Sequence, residues 1–137
     1  MFGRRKLDAR ELGRAGERRA RWFYRLRGYR IAARNLRLHS GEIDIVARRG
    51  RTIVIVEVKT RSSLELGAGY DAVNRNKQLR LIRLGDEVLA REPRQDVTLR
   101  YDVISLLWNG RKFAITWFPD AFRPVADPRR PWKLTVA

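Results

Sequence analysis

Two carboxylates and an ammonium stand where strand periodicity would gather them. Asp44 lies in Gly41-Glu42-Ile43-Asp44-Ile45-Val46-Ala47, and Glu57 and Lys59 lie in Val56-Glu57-Val58-Lys59-Thr60-Arg61. Side chains along a strand alternate with a period of two, so Glu57 and Lys59 share one face, the face that also carries Ile53 and Ile55. Charges projecting from an apolar strand into a partly buried region cost free energy unless they pair or bind something. A hairpin closed by a four-residue loop, 49–52, pairs Arg48 with Ile53 and sets position 44 opposite position 57. Facing carboxylates repel unless a cation lies between them, and hard oxygen donors with few imidazole or thiolate neighbours suit Mg²⁺ or Mn²⁺. The chemistry this permits is phosphodiester hydrolysis, with Lys59 supplying positive charge beside the attacking water. Glu17, flanked by Gly13, Gly16 and Ala20, is a third acid able to reach the same place from a helix. The plain structural alternatives are an ion pair of Glu57 with Lys59 or Arg61, and a helix-face pair of Glu17 with Arg14 or Arg21.

The elements that must position these groups follow from pattern. Over 8–27, Leu12, Gly16, Ala20, Phe23 and Leu26 recur at helical spacing, with Gly28 as the stop. Residues 30–36 read as a short strand, 42–48 as an alternating strand and 52–60 as a β-branched strand, the last two joined around Arg49-Gly50-Arg51. A Gly-rich loop, Leu66-Gly67-Ala68-Gly69, leads to a second helix over 74–90, ended by Pro93. Residues 97–108 and 112–118 read as a hairpin turned by a type I′ Asn109-Gly110. Beyond Pro119 three further prolines predict a loosely docked tail, so the expected division is a domain over 1–120 and a Pro-rich tail over 121–137. The order α-β-β-β-α-β-β predicts an α/β fold in the broad sense, a mixed sheet flanked by helices.

Composition narrows the partners. The chain of 137 residues fits one compact domain. It has no cysteine, which removes thiol nucleophiles, zinc knuckles and disulfides and suits a reducing, cytoplasmic setting. No apolar run follows the basic N-terminus and none reaches the length of a membrane span, so neither a signal peptide nor a spanning segment is expected. A net charge of +16 and a pI near 11.5 favour a polyanion, and nucleic acid is the expected partner. Because the arginines recur throughout the chain, a membrane-surface helix is not expected. His39, the single histidine, lies in a loop and is expected to be solvated. Of the four tryptophans, Trp22, Trp108 and Trp117 are expected to pack, and Trp132 is the candidate for stacking on bases.

Together the two signature stretches resemble the YraN-like family of uncharacterised bacterial proteins. The likeness runs through Gly16-Glu17, Gly28-Tyr29, Arg34-Asn35, Lys77 and Arg100-Tyr101-Asp102-Val103-Ile104. That family is similar to the archaeal Holliday-junction resolvases within the restriction-endonuclease-like, PD-(D/E)xK superfamily. The resemblance implies an αβββαβ core with an added C-terminal β-hairpin, and a site on Asp44, Glu57 and Lys59 with Glu17 as the extra helical acid. It further implies a Mg²⁺ or Mn²⁺ ion held by Asp44, Glu57 and Val58, and a metal-dependent DNA endonuclease acting on branched or repair-intermediate DNA. The superfamily's proline is absent, since Ile43 precedes Asp44. Arg61 and Lys77 are the expected phosphate contacts, and Asp102, though part of the likeness, is read as the partner of a nearby arginine. A homodimer is expected because cutting two strands symmetrically calls for two sites. The competing function is a nucleic-acid-binding module that keeps the fold without cleavage.

Overall fold

The computed structural model describes residues 7–63, 73–127 and 129–136. Its elements run α1 (Ala9–Arg25), β1 (Arg30–Leu38), β2 (Gly41–Arg49), β3 (Thr52–Ser62), α2 (Arg75–Ala90), β4 (Thr98–Trp108), β5 (Phe113–Phe118), β6 (Pro124–Asp127) and β7 (Arg130–Val136). Five strands form a mixed sheet in the order β1-β2-β3-β4-β5. All neighbours are antiparallel except β3 and β4, which run parallel because α2 carries the chain back between them.

The centre of β3 explains why the sheet is covered on both sides. Ile53, Val54, Ile55 and Val56 are buried in unbroken succession, which a strand with one wet face would not tolerate. Ile53 and Ile55 pack with Val46, Leu81, Leu84 and Tyr101 under α2, while Val54 and Val56 pack with Ile45, Ala20, Phe23 and Tyr24 under α1. Each helix comes down on a glycine. A Cβ at Gly16 would stand 2.2 Å from Thr60 Oγ1, and one at Gly85 would stand 2.2 Å from the Tyr101 hydroxyl. Side chains at those positions would lift the helices off the sheet.

Local signals set the helix ends. Asp8 caps α1 by accepting the Glu11 N–H, and Asn74 caps α2 by accepting the Lys77 N–H. The first helix stops at Arg25, two residues before the expected end, and Gly28 then takes the left-handed conformation (φ 87°) in the turn to β1. The β2–β3 register pairs Arg48 with Ile53 as expected, but Arg49 also pairs with Thr52, so the loop is the two residues Gly50 and Arg51 instead of four.

Three further expectations are corrected. Asn109-Gly110 is not a type I′ turn, which needs both residues at positive φ. Only Gly110 is there (φ 97°), and the Asn109 side chain closes the turn by accepting the N–H groups of Arg111 and Lys112. The Pro-rich segment after Pro119 contains an antiparallel pair, β6 with β7, and Val136 packs against the core under α2. Proline is compatible with this pairing because it opens β6, where a missing N–H breaks no ladder. Trp22, expected to pack, is 52% exposed, whereas Trp117 packs edge-on against Phe23 and Trp108 lies against Phe113. The Gly-rich loop at 66–69 and the Trp132 side chain lie outside what is described.

No helix among the described residues is long and apolar enough to cross a membrane. The arginines do gather on one side of α1, contrary to expectation, at positions 10, 14, 18, 21 and 25. The apolar side of that helix is already buried against the sheet, so it is not available to insert into a lipid surface.

Candidate functional site

The expected residues meet where the β2–β3 ladder ends. Backbone pairing stops at Ile45 with Val56, although β3 continues along β4 as far as Ser62. Beyond that point the Val58 N–H donates to Asp44 Oδ2 at 2.8 Å, so a side chain takes over from the ladder. Asp44 is thereby fixed beside Glu57 and aimed at the gap that the register predicts.

A second irregularity accompanies it in β1. The β1–β2 pairing passes from Arg34 with Ile45 to Leu36 with Ile43 and skips Asn35 and Asp44. Asn35 sits in the left-handed region (φ 48°), where asparagine is among the few side chains at ease. The flip lets Ile43 join Val46 in the cluster under α2 despite their odd spacing. Asn35 belongs to the sequence likeness but has no expected place in the site. Its amide hydrogen-bonds Glu17, and a left-handed, non-glycine residue in a strand marks a designed kink.

Glu17 arrives from the opposite layer. Gly16 lets α1 press onto Thr60, and the next residue is then within electrostatic reach of Glu42 and Glu57. Burial raises the pKa of Glu17, opposed by the Asn35 hydrogen bond and the Arg21 charge and reinforced by the two other glutamates. The anticipated pairing of Glu17 with Arg21 is felt only as this charge interaction.

Asp44 is strongly perturbed. Burial and the Glu57 charge push its pKa up to about 7, with Glu17 adding to the rise and the Val58 N–H and Lys77 working against it. Glu57 itself is 7% exposed, and its Oε1 lies 2.6 Å from Lys77 Nζ. The ion pair of Glu57 is thus made with α2, and not with Lys59 or Arg61 as the structural alternative had it. Lys77 reaches it from the first turn of α2, which Asn74 caps.

Lys59 and Lys77 are close enough to hydrogen-bond, which separates their titrations. Burial and Lys77 lower the pKa of Lys59. Burial also disfavours the charge on Lys77, but hydrogen bonds to Glu57 and Lys59 outweigh it and its pKa is raised. The two ammonium groups are thus driven apart, Lys77 upward and Lys59 downward. Arg61 donates to the Thr60 carbonyl at 3.0 Å at the edge of this cluster.

Among the described residues no group of three or more His, Cys, Asp and Glu comes together in a form that would hold a metal ion. The available donors are the carboxylates of Asp44 and Glu57 with the strand backbone at Val58. Their chemistry fits a hard divalent cation on one observation: burial and the Glu57 charge hold Asp44 toward the protonated form, and a cation between the two carboxylates relieves the repulsion. Lys77 currently supplies part of that compensation.

Asp102 belongs to a different structure. It is 1% exposed and accepts from Tyr24 Oη at 2.7 Å, from Arg100 Nε and Nη2 at 2.8 Å each, from Trp117 Nε1 at 3.2 Å and from the Asp120 N–H at 2.9 Å. Such a saturated carboxylate ties α1, β4 and β5 together and has no capacity left for chemistry. Its pairing with Arg100 agrees with the expectation for it. His39 donates its backbone N–H to Glu87, away from the candidate site.

Residues 16–106 match the sequence model of the uncharacterised protein family UPF0102. Relatives bearing that family name include one from Caldicellulosiruptor saccharolyticus, 41% identical over 103 residues, covering 75% of this chain and 87% of the relative. One from Geobacter metallireducens is 41% identical over 116 residues, with coverages of 85% and 95%. One from Symbiobacterium thermophilum is 45% identical over 98 residues, with coverages of 72% and 83%.

Proposed function

The chain belongs to the uncharacterised protein family UPF0102, and from that premise we propose that it is a metal-dependent DNA endonuclease of the restriction-endonuclease-like superfamily, similar to the Holliday-junction resolvases. The observation that carries this reading is the convergence of Asp44, Glu57 and Lys59 at the parted end of β2 and β3, with Glu17 entering from α1. Asp44 and Glu57, with Val58 between the strand's charged residues, would hold the ion. A divalent ion bound there would supply Lewis-acid activation of the phosphoryl group and of water.

The protein's own residues do the rest. Lys59 presents an amine beside the attacking water, and its lowered pKa brings proton exchange nearer to neutrality. Glu17 adds a third acid that can accept a proton or orient water through the outer sphere. Lys77 would hold phosphate oxygens once it leaves Glu57, and Arg61, whose charge Lys59 feels, would do so at the edge of the site. The diffuse positive charge grips backbone and shape more than base sequence, which suits branched or repair-intermediate DNA.

One observation favours a second reading, a binding module that does not cleave. Lys77 already neutralises Glu57, so the acidic pair can persist without a metal as a structural ion cluster. The discriminating experiment is cleavage of branched and linear DNA with Mg²⁺ or Mn²⁺ and with EDTA, using wild type, Asp44→Ala, Glu57→Ala and Lys59→Ala prepared in parallel. The nuclease reading expects cleavage by wild type alone, with DNA binding retained in all four. Metal-dependent nicking that persists in the variants, or no nicking by any folded protein, supports the binding module.

A further inference from the structure

The arginine side of α1 has a structure of its own. Positions 10, 14, 18, 21 and 25 fall within about a quarter of the helix circumference at roughly 100° per residue. Arg10, Arg14, Arg18 and Arg25 are exposed, while Arg21 is only 9% exposed. Burial and the like charges of Arg34, Arg25 and Arg18 all disfavour the charge on Arg21, and Glu17 favours it. An array of cations this dense is relieved by a polyanion lying along it. Glu11, on the first turn, is the acid bordering the stripe at the end remote from Arg25.

Beside the stripe stands a large aromatic side chain in water. Trp22 is 52% exposed, with the Arg25 guanidinium 5.4 Å from its ring centroid, and Leu26 next to it is 74% exposed. Phosphates alone give an indole no partner. A duplex laid against α1 would use the arginines and leave Trp22 idle, since its bases are already stacked on each other. An unpaired base, in contrast, can stack on the indole while its neighbouring phosphates meet Arg18 and Arg25.

We propose that α1 is a binding track for single-stranded DNA, in which the arginine stripe holds the backbone and Trp22, on the border of the stripe away from Glu17, stacks an unpaired base. The proposal rests on the nuclease reading for its substrate class and deepens it: the track would select DNA that carries an unpaired stretch. Trp22 is a binding residue here and touches no reacting atom.

The test is equilibrium binding by fluorescence anisotropy in EDTA, where cleavage plays no part. The probes are a labelled oligothymidylate and a blunt duplex of the same length. The proteins are wild type, Trp22→Ala, Trp22→Phe and the double variant Arg14→Glu/Arg18→Glu. Trp22→Ala should weaken oligothymidylate binding about tenfold and leave the duplex within about twofold, with Trp22→Phe restoring most of the loss. The double charge reversal should weaken both probes. Equal losses for both probes in Trp22→Ala, or no loss for either, overturns the stacking track while leaving nucleic-acid binding in place. Failure of the wild-type protein to bind either probe overturns the nuclease reading as well.

Discussion

At the scale of single residues, two aspartates sit in contrasting surroundings. Asp44 is raised by burial and by Glu57 from 3.8 to about 7, so the folded protein prefers it protonated. Its contribution to stability is therefore fully present below its unfolded pKa and is lost as pH rises through about 7. In the presence of EDTA, the urea midpoint of the wild-type protein should fall across that interval relative to Asp44→Asn, whose side chain cannot ionise. Parallel curves for the two proteins would contradict the assigned coupling. Asp102, by contrast, is 1% exposed and accepts five hydrogen bonds that tie α1, β4 and β5 together. Removing its carboxylate leaves Arg100 and the Tyr24 hydroxyl without their partner, so Asp102→Ala should destabilise by about 3–5 kcal/mol in chemical denaturation. A loss below about 1 kcal/mol would show that the network tolerates dissection.

At the scale of elements, the site is placed by a close helix–sheet approach. Gly16 has no room for a side chain above Thr60, and the residue after it is Glu17. Gly16→Ala gains helix propensity but forces its Cβ against the Thr60 side chain, and a net loss of about 1–3 kcal/mol is expected from overpacking. Thr60→Ala in the same chain should recover much of that loss, because two of the three nearest atoms are then gone. A double-mutant cycle of thermal unfolding measures the recovery. Additive effects would mean that α1 is positioned by something other than this contact. The hairpin register was legible in the sequence for a simple reason: alternation and loop length are local, so Arg48 opposite Ile53 places Asp44 beside Glu57 before any tertiary contact is considered. The Lys77 contact was not legible as such. Sequence pattern put Lys77 at the start of a helix, but only the parallel βαβ return brings that helix end over β3, 20 positions earlier in the chain, where its ammonium meets Glu57. Asn35 was missed because a left-handed residue inside a strand leaves no periodic trace except the asparagine itself.

At the scale of the whole molecule, the charge of +16 was the clearest signal in the sequence and the least informative about place. Composition points to a polyanion without placing it, and the arginine stripe on α1 emerges once its helical spacing is set against the buried apolar side. Binding to DNA dominated by released counterions should weaken steeply and linearly in log–log form with salt, checked by titration at several ionic strengths. A flat dependence would remove the electrostatic basis of the account. The segment after Pro119 was misread because proline-rich sequence argues against central strands, while a two-stranded pair has edges enough to accept it. The central claim is that Asp44 and Glu57 share a divalent ion, and the measurement closest to it is anomalous diffraction from crystals soaked in Mn²⁺. The account predicts one strong peak between those two carboxylates, with Lys77 Nζ moved off Glu57. A peak elsewhere, or none with Lys77 still paired to Glu57, would contradict it.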